Sequence, residues 1–70
     1  MKTTEQMVNY LEENGYWMDK SICGQYRLFK GPKNNQFESE LVVEDPASED
    51  LEDYDSAAYI FYCTITNEWE

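Results

Sequence analysis

Ala57-Ala58-Tyr59-Ile60-Phe61-Tyr62-Cys63-Thr64-Ile65-Thr66 is the most apolar run of the chain, and its reading decides the fold. In an extended conformation it carries apolar side chains on both faces. That pattern predicts a central strand, covered by a helix on one side and by aromatic rings on the other. Asn67-Glu68-Trp69-Glu70 extends the same strand in this reading.

Working outward, Ala47 to Ser56 reads as an acidic loop with room for one helical turn, and Asp45-Pro46 ends the element before it. That element, Phe37 to Glu44, alternates with period two. Phe37, Leu41 and Val43 share one face with Ser39, while Glu38, Glu40 and Glu44 share the other with Val42, which predicts a strand with one wet side. Gly31-Pro32-Lys33-Asn34-Asn35 is a turn signal. Ile22 to Lys30 alternates as a further strand, with Tyr26 and Leu28 opposite Arg27 and Phe29. Tyr16 to Lys20 reads as a connection whose Tyr-Trp-Met cluster folds onto the core. The chain opens with a helix over Thr4 to Asn14, capped by Thr3 with Gln6 in a capping box and stopped at Asn14-Gly15. Met7, Val8, Tyr10 and Leu11 form its apolar stripe. The expected architecture is α+β: one N-terminal helix packed on a three-stranded antiparallel sheet (αβββ), a single small domain over residues 1–70.

A chain of 70 residues buries only about 60% of the surface its unfolded form exposes. Two Trp, three Phe and six Tyr suit so thin a core, because rings bury much area per residue. No cavity of enzymatic size is expected. The chain has no His, hence no imidazole base or ligand. Cys23 and Cys63 lie forty residues apart, without the clustered spacing of a zinc site. They are expected as two buried, reduced thiols in a cytosolic setting. No glycine-rich phosphate loop is present. Asp53-Tyr54-Asp55 opens like a calcium loop, but position six is Ala58 rather than Gly and no Glu closes the loop. The expectation is a non-enzymatic protein with no cofactor and no metal.

Charge is the most informative property. Fifteen acidic residues against five basic ones give a formal net charge of −10. After Lys33 there is no basic residue, and nine acids fall between Glu38 and Asp55. Such a one-sided field repels nucleic acid and attracts basic protein surfaces. The competing reading is a face that serves solubility alone. Against it stand the contiguity of the acids, the lack of interspersed Lys, and self-repulsion only partly screened over a Debye length of about 8 Å. The candidate binding set is Glu38, Glu40, Glu44, Glu49, Asp50, Glu52, Asp53 and Asp55, with Leu51 and Tyr54 as apolar anchors beside Val42.

On a strand, residues two apart sit roughly 6.7 Å apart on one face. Phosphates advance about 3.4 Å per nucleotide along one DNA strand, so Glu38 and Glu40 would match two steps. In size, charge and compactness the chain resembles the small acidic inhibitors that phages encode: anti-CRISPR proteins, anti-restriction DNA mimics and uracil-DNA glycosylase inhibitors. The stretch Glu38-Ser39-Glu40-Leu41-Val42 is similar to acid-Ser-apolar strands of the last group. The resemblance implies an inhibitor that occludes the basic, nucleic-acid-binding site of a host protein. The alternative is an adaptor docking a basic patch without mimicry. A third reading adds a partner strand to a free edge of Ile22–Lys30. Direct nucleic-acid binding and membrane insertion are not expected: the acid repels the first, and no apolar run approaches the roughly 18 residues of a span. The expected location is the cytoplasm of the producing or infected cell.

Overall fold

A computed structural model describes residues 2–68. The elements in chain order are α1 (Thr4–Glu13), β1 (Tyr16–Lys20), β2 (Tyr26–Lys30), β3 (Glu40–Val43), a short 3-10 helix (Glu49–Glu52) and α2 (Tyr54–Thr66). The protein is α+β, with an N-terminal helix and a three-stranded antiparallel sheet of order β1-β2-β3. The strands are not all the expected ones, and there are two helices rather than one. Ala57 to Thr66 belongs to α2, and Tyr16 to Lys20 supplies the strand that the sequence reading treated as a connection.

The helix at the C-terminal end has local causes. Asp53 caps it, its carboxylate accepting from the Ser56 N–H at 3.0 Å. Ala57, Phe61 and Ile65 recur at intervals of four, a helical stripe hidden in an unbroken apolar run. Ten residues is also long for a strand, whose usual length is about five or six. The Thr64 and Thr66 hydroxyls, which would favour a strand, instead donate to the carbonyls of Ile60 and Tyr62, both at 2.7 Å. Asn67, expected to prolong a strand, caps the helix in the left-handed region at φ 60°. Trp69 and Glu70 lie outside the described residues.

At the other end, α1 begins with the expected capping box. Gln6 N–H donates to Thr3 Oγ1 at 3.2 Å, and Thr3 N–H donates to Gln6 Oε1 at 2.9 Å. Met7 and Leu11 are its buried residues. Leu11 meets Leu28 of β2, Leu51 of the 3-10 helix and Ala57 and Phe61 of α2 in the main core. Tyr16, Met18, Tyr26 and Val43 extend that core along the inner sheet face.

The register pairs Tyr16 with Lys30, Trp17 with Phe29 and Lys20 with Tyr26. The Ile22–Lys30 strand thus begins only at Tyr26, and Ile22 and Cys23 occupy the hairpin turn. It is also the central strand, so neither of its edges is free. Phe37–Glu44 shortens to Glu40–Val43. Leu28 pairs with Val43 but Phe29 pairs with Leu41, so Val42 is the extra residue of a bulge. The bulge breaks the expected alternation: Val43 turns to the core and Leu41 to the outer face with Phe29.

That outer face is closed by the chain between β2 and β3. Trp17 stacks on Phe29 with ring centroids 4.7 Å apart. The Trp17 indole N–H donates to Ser39 Oγ at 3.0 Å, and the Ser39 hydroxyl donates to the Pro32 carbonyl at 3.1 Å. Gly31 makes the close approach possible, since a Cβ there would lie 2.7 Å from Ser39 Oγ and 2.8 Å from its Cα.

Two outcomes follow from these placements. Phe61→Ala, at a wholly buried position, is expected to cost about 3–5 kcal/mol, read as a fall in urea midpoint, whereas the exposed Thr64→Ala leaves it within about 0.5 kcal/mol. The thiols, expected as a buried pair, differ: Cys23 is exposed and Cys63 is buried, both unpaired. A thiol reagent should therefore label one cysteine in the native protein and two after denaturation, without reductant.

Candidate protein-docking surface

The nine acids from Glu38 to Asp55 are all exposed. Folding divides them into two groups. Glu38 lies in the turn before β3, Glu40 opens the strand, and Glu44 and Asp45 follow it. Glu49, Asp50 and Glu52 ride on the 3-10 helix, and Asp53 and Asp55 stand at the start of α2. The strand-spaced pair Glu38 and Glu40 does not form as expected. The Glu38 N–H is taken by Asn35 Oδ1 at 3.2 Å within a turn, leaving Glu40 the single acid of the group inside β3.

Some of these carboxylates have internal work. Asp53 caps α2. Glu52 accepts from Gln25 Nε2 at 3.3 Å, giving that buried amide a partner, while Gln25 Oε1 has none. Asp45 Oδ1 accepts from the Ala47 N–H at 3.2 Å. Asp55, in the first turn of α2, gains from the helix dipole, an effect of about 0.3–1 kcal/mol. Glu40 stands directly across from Lys30 of β2, Glu49 and Asp50 lie in the first turn of the 3-10 helix, and among the described residues Glu38 and Glu44 form no ion pair.

Four of the five cations have partners elsewhere. Arg27 pairs with Asp19 at 3.0 Å and lies over the Phe29 ring. Lys33 pairs with Glu12 at 2.7 Å. Lys20 sits over Tyr26 and Lys30 over Tyr16, each 5.6 Å from the ring centroid. Among the described residues, neither of the two ion pairs uses an acid of the Glu38–Asp55 stretch. Lys30 stands across from Glu40 in the sheet register, and the acids from Glu49 to Asp55 meet no cation in an ion pair among the described residues.

Leu51 is not the exposed anchor expected from its acidic neighbours. It is 2% exposed and belongs to the core. It fastens the 3-10 helix to the core, so that Glu49, Asp50 and Glu52 face outward on a short turn. Tyr54 remains about half exposed, its ring edge-on to Tyr26 at 5.6 Å. A shallow groove runs between Asp50, Asp55, Ser56, Tyr59 and Ile60.

Sequence reasoning missed the most exposed apolar groups. Phe37 and Ile22 are fully in solvent, and Leu41 and Val42 are each about two-fifths exposed. The available signal was position: Phe37 follows Asn34-Asn35-Gln36 and Ile22 precedes Cys23-Gly24, both in turns. Away from this surface, burial pushes the Tyr62 phenol above its usual value, and its hydrogen bond to Glu68 adds to the shift. Asp53 and Asp55 share no metal cluster, and among the described residues no group of three or more potential ligands is gathered. The chain matches no family model, no curated protein and no solved structure.

The two classes of acid should separate on mutation. Asp53→Ala is expected to cost about 1 kcal/mol through the lost cap, whereas Glu49→Gln and Asp50→Gln should be neutral or slightly stabilising. Urea midpoints at low and high salt read the difference, and salt alone should raise the wild-type midpoint by screening the repulsion.

Proposed function

We propose that this chain is a non-enzymatic, acidic inhibitor that occupies the basic nucleic-acid-binding site of another protein. The observation that carries the reading is the cluster Glu49, Asp50, Glu52, Asp53 and Asp55, held outward by buried Leu51 and, among the described residues, in no ion pair with a cation. Lys and Arg side chains that otherwise hold phosphates would meet these carboxylates, with Tyr54 as the adjoining ring. No bond is made or broken, and inhibition is occlusion. A field of this sign also speeds encounter with a basic partner.

One observation favours the adaptor reading, in which the basic patch has no nucleic-acid role. Glu38 and Glu44 lie outside β3, so the carboxylates do not form a strand-spaced row. Mimicry must then rest on the 3-10 helix and the start of α2.

The test is capture by immobilised protein from a bacterial lysate, with and without excess duplex DNA, beside a Glu49→Lys/Asp50→Lys variant. These two positions leave the Asp53 cap and the Glu52–Gln25 bond intact. The expected result is a nucleic-acid-binding protein retained by the wild type, released by DNA, and bound at least tenfold more weakly by the variant with an unchanged circular dichroism spectrum. Retention in the presence of DNA selects the adaptor reading. Equal binding by the variant reduces the 3-10 cluster to a solubility device.

A further inference from the structure

We infer that the outer edge of β3 takes an extended, basic segment of the partner protein as a fourth strand. The inference rests on the acidic-docking reading above and names a site on its other acidic group. β3 is a terminal strand of the sheet, hydrogen-bonded to β2 on one side, and its other edge pairs with no strand among the described residues. Such an edge presents a row of backbone donors and acceptors, a ready template for pairing. The four residues Glu40–Val43 offer about 13 Å of it.

The two edges of the sheet differ. On β1, Trp17 is buried and Tyr16, Met18 and Asp19 are half-buried. On β3, Glu40, Leu41 and Val42 are exposed. The bulge at Val42 leaves Leu41 and Val42 both about two-fifths exposed, and Phe37 stands fully in solvent just before the strand. Apolar contact is therefore available beside the pairing groups.

Charge decides the occupant. Glu38 and Glu40 flank one end of the edge, and Glu44 and Asp45 flank the other. A second copy pairing antiparallel about Val42 would bring the Glu38 and Glu40 end of each chain to the Glu44 and Asp45 end of the other, and like charges brought together across a strand pair are destabilising. Each copy also carries a formal −10. The same four acids that oppose self-pairing attract a segment carrying several Lys or Arg: cations on one face of it would meet Glu40, and Glu44 and Asp45 add a field of the same sign at the far end. An acidic edge thus excludes its own kind and admits a basic strand.

The experiment titrates the 15N-labelled protein with a synthetic twelve-residue peptide alternating Lys with Val or Thr. Two control peptides accompany it: one with Glu replacing every Lys, one N-methylated along one backbone edge. The expected result is that only the unmodified Lys peptide binds. It should slow amide exchange in Leu41–Val43 at least tenfold, and bind Glu40→Lys/Glu44→Lys at least tenfold more weakly. Equal binding by the N-methylated peptide overturns strand pairing. Shifts confined to Glu49–Asp55 also overturn the edge, yet leave the acidic-docking reading standing. Absence of binding by every peptide overturns it too. So does a peptide-free dimer by sedimentation that protects the same amides, which would assign the edge to a second copy. The Glu49→Lys/Asp50→Lys variant should keep most of its affinity for the Lys peptide, separating this site from the 3-10 cluster.

Discussion

Phe61 holds the two halves of the chain together. Its ring is wholly buried against Leu11 of α1, Leu28 of β2, Leu51 and Ala57. A domain of this length has one thin core, and the contacts of a single aromatic side chain are a large part of it. Ala57 and Ala58 contribute by being small, which lets α2 come close to its neighbours. The 3-10 helix is fastened through Leu51 to the same cluster, so the placement of its carboxylates depends on α2 being a helix packed at this site.

The acidic surface is mounted rather than loose. Leu51 anchors it from below, Asp53 ties it to the first turn of α2, and Glu52 ties it to Gln25 beside β2. Repulsion among clustered carboxylates opposes a compact state. Here the cap and the dipole offset part of it for Asp53 and Asp55, while Glu49 and Asp50 ride on the 3-10 helix that buried Leu51 fastens to the core. Preorganised charge lowers the ordering cost that a partner would otherwise meet on binding.

On the opposite sheet face, the Trp17–Phe29 stack and the Ser39 relay do the work of a missing third layer. Folding the Gly31–Ser39 segment over these rings buries them without a further helix. The bulge at Val42 then lets Val43 serve the inner core while Leu41 stays with Phe29 outside. One consequence is that β3 ends as a short, exposed edge with acids at both ends.

Features set by short-range chemistry were legible from the chain alone. The Thr3–Gln6 box placed α1, the Tyr26-Arg27-Leu28-Phe29 alternation placed β2, and the charge asymmetry located the acidic surface, because each depends on neighbours within a few positions. Three matters were decided only by packing. Ala57–Thr66 is apolar on every side, so helix and strand periods were both satisfied until α1, β2 and the Asp53 cap selected the helix. Leu51, ringed by acids, reads as surface until the 3-10 helix turns it inward. Tyr16–Lys20 became a strand because, once α2 left the sheet, β2 needed a partner on that edge and the Trp17–Phe29 pair supplied it. Local sequence determined which segments were ordered and where the charge lay; long-range burial, which no short window encodes, determined which apolar segment became the third strand and which side chains faced water.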